Sequence, residues 1–274
     1  MKKRLFTVLI VIIFLSGLSL LLYPTVSDYL NSVSRAKDIS TYAVSVSRID
    51  EAEREKIWNS AVEYNTRLAQ KPTHWRLSKE EIADYDSQLD VAGMGIMAYV
   101  EIPKQGCTLP VYHGTGAEVL QIAVGHLEGS SLPVGGKSTH CVLSGHRGLP
   151  SAKLFSNLDQ MAEGDTFSVR TLDKVLTYEV DEISIVLPAD TAKLQIVAGE
   201  DLCTLMTCTP YGVNTHRLLV RGHRVDEANA AVRVTADALQ IDPLLVAPAI
   251  AVPLILILFI IVILHRNLSG GRKS

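Results

Sequence analysis

The sequence has no excess of basic residues: 26 lysines and arginines stand against 29 aspartates and glutamates. Six of the basic residues lie in the two terminal tails, whereas all 29 acidic residues lie between them, so the middle of the chain has 20 basic against 29 acidic residues. A nucleic-acid-binding domain needs a basic patch or stripe. The charge pattern therefore excludes that class of function.

Charged residues are absent from two long runs, 5–22 and 244–264. Both are long enough for a membrane-spanning helix, the first only just so. No Ala-x-Ala cleavage site follows the first run, which favours an uncleaved anchor over a removed signal peptide. Basic residues flank each run on the side of its own terminus, which predicts cytoplasmic termini and an extracellular middle. We therefore expect a cell-membrane protein with two transmembrane helices.

Closely spaced metal ligands are missing as well. Zinc sites usually contain pairs such as Cys-x-x-Cys or His-x-x-x-His, whereas His140 and His146 are six residues apart and Cys203 and Cys208 fall on one predicted strand. A Gly-Thr-Gly run at 114–116 lacks the third glycine of a dinucleotide-binding loop. We therefore expect neither a metal nor a cofactor.

The four cysteines offer little for a disulfide framework. Cys203 and Cys208 would be ~16 Å apart on one strand at ~3.3 Å per residue, far beyond disulfide reach. We expect no disulfide bond. Cys107, Cys141 and Cys203 are then predicted to be small buried side chains on strands.

Between the two apolar runs, the spacing of apolar residues changes once, from a helical to a β-type pattern. Apolar residues recur at spacings of three and four over 50–69, which indicates an amphipathic helix, and Ser78 with Glu81 form a capping box for a second helix over 78–89. From residue 93 the pattern is β-type, with strands predicted at 96–102, 108–112, 140–144, 166–170, 176–186, 202–207 and 218–220 and short helices at 117–121 and 152–161. Many short strands with few helices indicate a closed barrel or a sandwich.

These patterns divide the chain into six parts. They are a cytoplasmic tail and N-terminal membrane anchor (1–23), a helical extension (24–92), a β domain (93–225), a tether (226–243), a C-terminal transmembrane helix (244–264) and a cytoplasmic tail (265–274).

The stretch 202–224 reads as a β-hairpin: an apolar run ending in a cysteine, a polar turn with Pro210 and Gly212, and a second run that opens with an arginine. A hairpin brings Cys208 and Arg217 together at one end of a sheet. The arginine's charge favours the thiolate, which is the nucleophilic form of cysteine.

Among the eight histidines, His146 is the best candidate for an acid or base. It follows an apolar strand within Ser-Gly-His-Arg-Gly, where the glycines on each side of the His-Arg pair allow a tight turn with an exposed ring. His216 adjoins Arg217 and is the residue most easily mistaken for the base. We expect His74, His113 and His223 to lie at the surface.

The Thr-Leu-Met-Thr-Cys run at 204–208, with an arginine nine residues after the cysteine, resembles the signature of the sortases, the cysteine transpeptidases of Gram-positive cell surfaces. Further support comes from Tyr-Val-Glu-Ile-Pro (99–103), Val-Gly-His-Leu-Glu-Gly-Ser-Ser-Leu-Pro-Val-Gly-Gly (124–136) and Leu-Ser-Gly-His-Arg-Gly (143–148). The resemblance covers roughly 93–225. It implies a mostly β fold, a closed mixed β-barrel of about eight strands with short helices, here preceded by a helical segment and flanked by two transmembrane helices.

The resemblance also implies the roles of the site residues. Cys208 would attack the Thr-Gly carbonyl of a Leu-Pro-x-Thr-Gly-like sorting signal and form a thioacyl-enzyme. His146 would give a proton to the leaving amine and take one from the incoming amine. Arg217 would stabilise the oxyanion or hold the substrate backbone, and Thr207 and Thr209 are candidates for substrate or oxyanion binding.

A second membrane helix and helices before the barrel resemble the pilus-polymerising class C sortases, in which a pilin lysine resolves the thioacyl-enzyme and forms an isopeptide bond. The expected partners are pilin or surface proteins with sorting signals, a second pilin lysine or a cell-wall amine as acceptor, and the membrane. Two alternatives stay open: a housekeeping-type sortase that joins surface proteins to the cell-wall precursor, and an inactive membrane-held binding module.

One stretch departs from that class. Class C sortases commonly carry a lid with an Asp-Pro-aromatic motif over the catalytic groove, whereas residues 71–77 here, Lys-Pro-Thr-His-Trp-Arg-Leu, have no aspartate before a proline. No carboxylate is available there to pair with Arg217. We expect a weakly held or absent lid and an accessible Cys208 thiol. Trp75 is the candidate lid residue, and the alternative is that it packs the extension onto the barrel.

Overall fold

The computed structural model describes residues 2–71, 73–91, 93–149 and 152–226, with positions 251, 254, 255 and 258. The part of the chain from Leu30 through the last strand forms one compact unit, and residues up to Tyr29 belong to another. Three helices precede the strands: α1 (Lys2–Arg48), α2 (Glu51–Ala69) and α3 (Lys79–Ser87). The short helix α4 (Ala117–Leu120) lies among the strands.

Helix α1 continues through Pro24, beyond the anchor that the sequence predicted to end at residue 23. Its apolar N-terminal part has exposed side chains and contains an 18-residue window of mean hydropathy 2.3. In the described residues, α1 is the one helix long and apolar enough to cross a membrane, which indicates N-terminal membrane anchoring. The second predicted span, 244–264, lies outside the described residues except at the four positions named above.

Helices α2 and α3 begin as their sequences predict. The Asp50 side chain accepts a hydrogen bond from the Glu53 amide at the start of α2, and Ser78 and Glu81 form the capping box of α3. In α2, Asn65 accepts a hydrogen bond from the Leu132 amide (2.7 Å) and donates one to its carbonyl oxygen (3.1 Å). Because these groups are buried, α2 is fixed in one position on the β domain.

Eight strands close into a barrel in the order β1-β2-β3-β4-β7-β8-β6-β5. They are β1 (Ile96–Ile102), β2 (Cys107–His113), β3 (Val124–His126), β4 (Thr139–Ser144), β5 (Thr166–Thr171), β6 (Lys174–Val186), β7 (Asp201–Thr209) and β8 (His216–Val225). The β2–β3 and β4–β7 pairs are parallel and the others antiparallel. The predicted closed mixed barrel is confirmed.

Within the barrel, the prediction from the sequence omitted strand β3, made β8 too short at 218–220 and placed one helix wrongly. Strand β3 was not predicted, because its three residues are too few to show an alternating pattern. The helix predicted over 152–161 is wrong: this segment forms turns and one 3₁₀ turn at Leu158–Gln160. Leu154 has a φ of +30°, which interrupts any helix. The apolar residues of this segment have a helix-like spacing, but Phe155 and Leu158 are instead buried in the barrel core.

Side chains along β7 alternate between the inner and the outer face of the barrel wall. Cys203 and Leu205 belong to the main core inside the barrel. Met206, on the other face, packs against a second cluster formed by Val142, Val186, Leu194 and Leu219. Because side chains two residues apart share a face, Cys208 lies on the outer face in line with Met206.

The cysteines are free thiols. Cys141 and Cys203 are buried, as predicted, whereas Cys107 is only partly buried. Cys208 is also partly exposed, so its sulfur is within reach of a substrate.

Candidate active site

The hairpin of β7 and β8 places Cys208 directly opposite Arg217. Side chains at opposite positions of an antiparallel pair lie on the same face with their Cβ atoms ~5 Å apart. The loop that joins them, 210–215, returns the chain so that the last residues of β7 meet the first of β8. The hairpin predicted from the sequence is thus present, and it brings Cys208 close to Arg217 as expected.

The loop that carries His146 is bonded to the residues that precede Cys208. Strand β4 runs parallel to β7 and ends at Ser144, opposite Met206. The Gly145 amide donates to the Met206 carbonyl oxygen (3.0 Å), and the Thr207 hydroxyl donates to the Gly145 carbonyl oxygen (2.7 Å). His146 therefore leaves β4 at the end of the barrel where Cys208 leaves β7.

The electrostatics show that His146 and Arg217 act on each other. Burial lowers the pKa of His146, and the positive charge of Arg217 lowers it further. A neighbouring cation disfavours the protonated imidazole, which explains the direction of this effect. Cys208, Arg217 and the loop that carries His146 thus lie at the same end of the barrel.

The two threonines beside the cysteine are the candidates for substrate or oxyanion binding. Both are buried, and the Thr207 hydroxyl is bonded to Gly145. The Thr207 side chain thus holds the histidine loop, and any part that Thr207 takes in substrate or oxyanion binding is left to its backbone. Thr209 pairs with His216 in the ladder and precedes Pro210 through a cis peptide bond.

Three of the other histidines have structural partners in the described part of the chain. His126 is fully buried and bonded to Tyr85 and Ser131. His216 is partly exposed, with Nδ1 2.9 Å from the Thr215 hydroxyl. The predicted surface position of His74 is wrong, since that residue is 6% exposed.

His74 anchors the segment before α3 to the barrel. Its Nδ1 donates to the Gly129 carbonyl oxygen (2.6 Å), and Nε2 lies 3.1 Å from Oε1 of Gln195. A Cβ at Gly129 would lie 2.3 Å from the His74 carbonyl oxygen, so the glycine allows this close approach. The sequence offered no signal for this anchor because both partners are distant in the chain.

Next to His74, Trp75 packs against the outer-face cluster that also contacts Met206. Trp75 thus holds the segment against the barrel, beside the row of side chains that leads to Cys208. The alternative to a lid, in which Trp75 packs the extension onto the barrel, predicts such a contact. Cys208 stays partly exposed with Trp75 in this position.

We expect Trp75→Ala to raise the alkylation rate of Cys208 less than tenfold, because the thiol is already partly exposed and His74 retains its own hydrogen bonds. The rate is measured by mass spectrometry with an uncharged alkylating reagent, which separates Cys208 from Cys107. Trp58→Ala in α2 is the matched control. A rise of about tenfold or more, corresponding to ~1.4 kcal/mol of closure, would instead show that Trp75 covers the groove.

Replacement of Arg217 by glutamine is expected to raise the pKa of His146. Removal of the positive charge removes one of the two causes that lower this pKa, and only burial remains. The measurement is an NMR titration of the His146 ring in a Cys208→Ala background. Arg217→Lys should keep the pKa low, and Arg221→Gln on the same strand should leave it unchanged. A His146 pKa that does not rise in Arg217→Gln would contradict the electrostatic coupling.

Comparison with known proteins gives the same family as the motifs. The sortase domain model matches residues 100–225. Sortase D of Bacillus subtilis is 31% identical over 129 residues, which cover 46% of this chain and 62% of that protein. Sortase A of Streptococcus agalactiae is 30% identical over 117 residues, which cover 42% and 47%. The chain therefore spans less than two thirds of the length of these two curated relatives.

Several solved structures are matched over nearly their whole length. Sortase C1 from Streptococcus agalactiae is 53% identical, with a TM-score of 0.68, and 69% of this chain covers 98% of that one. Streptococcus pneumoniae sortase C is 43% identical, with a TM-score of 0.61 and coverage of 69% and 97%. Clostridium perfringens sortase C, solved with the C-terminal cell wall sorting motif, is 38% identical, with a TM-score of 0.62 and coverage of 70% and 99%.

Proposed function

This chain belongs to the sortase family, and we propose that it is a cysteine transpeptidase with Cys208 as its nucleophile. The observation that carries the proposal is the pairing of Cys208 with Arg217 on the outer face of the barrel, with the loop of His146 bonded to the residues that precede Cys208. The partial exposure of Cys208 supports it, because the sulfur must reach a substrate backbone.

In the proposed reaction, the Cys208 thiolate attacks the Thr-Gly carbonyl carbon of a sorting signal. The C–N bond then breaks, His146 gives a proton to the departing amine, and a thioacyl-enzyme forms. An incoming amine attacks the thioacyl carbonyl, loses a proton to His146, and releases the thiolate. Arg217 faces the position where negative charge develops on the carbonyl oxygen or holds the substrate backbone beside it.

The lowered pKa of His146 has a direct consequence for this sequence of steps. A protonated imidazole with a lowered pKa is a stronger acid, so it gives its proton to the leaving amine more readily. The protonated fraction at neutral pH is correspondingly smaller. Arg217 thus raises the acidity of the proton donor and would also stabilise negative charge on the oxyanion.

We further propose that the acceptor is a lysine amine of a second pilin, so that the product is an isopeptide-linked polymer. Support comes from the similarity to sortase C structures of three species and from the helices that precede the barrel. The protein would recognise pilin or surface proteins that carry a Leu-Pro-x-Thr-Gly-like signal. Anchoring of such proteins to an amine of the cell-wall precursor is the alternative.

The identity of the product tests both proposals. The full chain in detergent is incubated with a sorting-signal peptide, a pilin domain and an amine that mimics the cell-wall precursor, and the joined product is identified by mass spectrometry. A bond to a pilin lysine supports pilus polymerisation. A bond to the precursor mimic alone would assign the housekeeping reaction, and the absence of any thioacyl-enzyme would overturn the transpeptidase assignment.

The proposed localisation is the cell membrane, with both termini in the cytoplasm and the barrel outside. We expect a cysteine-free variant with Ser274→Cys to resist a membrane-impermeant thiol reagent on intact cells, because the terminus lies on the inner side. A second cysteine-free variant, with Ala230→Cys in the 226–243 tether as its single thiol, should react. Labelling at Ser274→Cys would show that the 244–264 run does not cross the membrane.

A further inference from the structure

The residues that follow His146 are held by contacts that the proposed chemistry does not use. The Arg147 guanidinium lies over the ring of Tyr211, 5.8 Å from the ring centroid. Its Nη2 also donates to Oδ2 of Asp159 at 2.5 Å. Although Arg147 is a charged residue, its side chain is only 12% exposed. It is therefore enclosed between the segment that carries Asp159 and the loop that carries Tyr211.

Gly148 brings the same ring against the backbone of the histidine loop. Its φ is +78°, and a Cβ at this position would lie 2.6 Å from Cε2 and 2.8 Å from Cζ of Tyr211. A side chain at Gly148 would thus meet the aromatic ring at a distance that real Cβ atoms do not tolerate. The Gly148 amide is occupied elsewhere, as a donor to the Ser156 hydroxyl (3.1 Å). The loop after His146 is therefore held from two sides, by Tyr211 and by the 156–159 segment.

Tyr211 belongs to the other half of the site. It lies three residues after Cys208, in the loop of the β7–β8 hairpin, and is 62% exposed. Its exposure shows that the ring is not placed by burial in the core. Its contacts instead join the loop that follows the nucleophile to the loop that follows the imidazole. At the base of the site, Gly145 joins the same two segments through Met206 and Thr207.

We propose that Tyr211 is a positioning residue that holds the His146 loop against the Cys208 hairpin. This inference rests on the proposed transpeptidase function. The ring covers Gly148 and stacks on Arg147, and Asp159 holds the guanidinium on its other side. Loss of the ring would leave the loop fixed only through Gly145 and the 155–159 segment. His146 would then spend less time within proton-transfer distance of Cys208 and of the leaving amine.

The test compares Tyr211→Ala and Tyr211→Phe in the full chain, with Val213→Ala as the control, since Val213 lies in the same loop and is 64% exposed. Tyr211→Ala should lower kcat for a sorting-signal peptide about tenfold or more, with KM within about twofold of wild type. Tyr211→Phe should retain most of kcat because stacking on Arg147 needs the ring and not the hydroxyl. Val213→Ala should have kcat close to wild type.

A titration of His146 distinguishes positioning from a general loss of stability. A loosened loop moves the ring into solvent and away from Arg217, so the pKa of His146 should rise in Tyr211→Ala and stay lowered in Tyr211→Phe and Val213→Ala. The double variant Arg147→Ala/Tyr211→Ala should be no slower than the slower single variant, because both act through one contact. If the losses in kcat of the two single variants multiply in the double variant, Arg147 and Tyr211 do not act through one contact.

Two outcomes would overturn the inference itself. If Tyr211→Ala raises KM and leaves kcat unchanged, Tyr211 binds substrate and does not position His146. If kcat, KM and the His146 titration all stay as in wild type, the ring has no role in the site. Failure of the wild-type protein to form a thioacyl-enzyme would instead reject the proposed function, and the titration would still show whether Tyr211 holds the loop.

Discussion

Cys208→Ala is expected to abolish the thioacyl-enzyme and every joined product while the exported domain stays folded. The alanine removes the sulfur that forms the covalent intermediate, and no other described cysteine lies on the outer face beside Arg217. Because Cys208 is partly exposed, loss of its sulfur leaves no sealed cavity in the core. Product formation is followed by mass spectrometry, and folding by thermal unfolding.

The two partner residues should give large but incomplete losses. His146→Ala removes the proton donor and Arg217→Ala removes the positive charge, and each should lower kcat/KM by about two to four orders of magnitude. His216→Ala is the matched control, because that histidine adjoins Arg217 in the chain and its ring lies against its neighbour Thr215. Polymer formation by Cys208→Ala at the wild-type rate, or an equal loss in His216→Ala and His146→Ala, would reject the assignment.

Local patterns predicted those parts of the fold that depend on near neighbours. The capping residues Asp50 and Ser78 fix the starts of α2 and α3, and alternation fixes most strands. Closure of the sheet into a barrel was supplied by the family resemblance, because a sandwich has the same local patterns. Strand β3 and the turns at 152–161 depend on what packs around them, which spacing alone does not show.

The residues of the candidate site were likewise predicted only in part. Cys208 and Arg217 follow from a strand–turn–strand pattern, and His146 from its flanking glycines. The residues that hold them in place were not predicted, because each contact joins segments far apart in the chain. Thr207 to Gly145 spans 62 residues, and His74 to Gly129 spans 55.

The segment before α3 shows how one departure from a family motif can be offset. With no carboxylate at 71–77, an ion pair to Arg217 from this segment is impossible. His74 nevertheless fixes the segment through its contacts with Gly129 and Gln195. Its attachment is therefore independent of Arg217, whose guanidinium instead donates to the carbonyl oxygens of Asn214 (3.3 Å) and His216 (3.1 Å) in the hairpin.

Gly145 is the position where the smallest change should have the largest effect on this arrangement. Its φ is not positive, so the backbone conformation accepts alanine. The added Cβ, however, would lie 2.7 Å from Cδ2 and 3.0 Å from Cγ of Phe155. Phe155 is fully buried in the core and its amide donates to the His146 carbonyl oxygen (3.2 Å). The ring therefore has no free space to enter, and the strain falls on the histidine loop.

We expect Gly145→Ala to lower kcat about a hundredfold, because a displacement of about 1 Å at a catalytic group has an effect of that size. Overpacking should also reduce the free energy of unfolding by ~1–3 kcal/mol. Phe155→Leu alone leaves some empty volume, at a cost of about 1–2 kcal/mol, but in Gly145→Ala/Phe155→Leu the methyl group enters the space that the ring vacates. The double variant should then be faster and more stable than Gly145→Ala alone, as measured by peptide cleavage and urea unfolding. Additive losses in both measurements would show that Gly145 is needed for a reason other than contact with Phe155, since only a shared contact makes the two changes compensate.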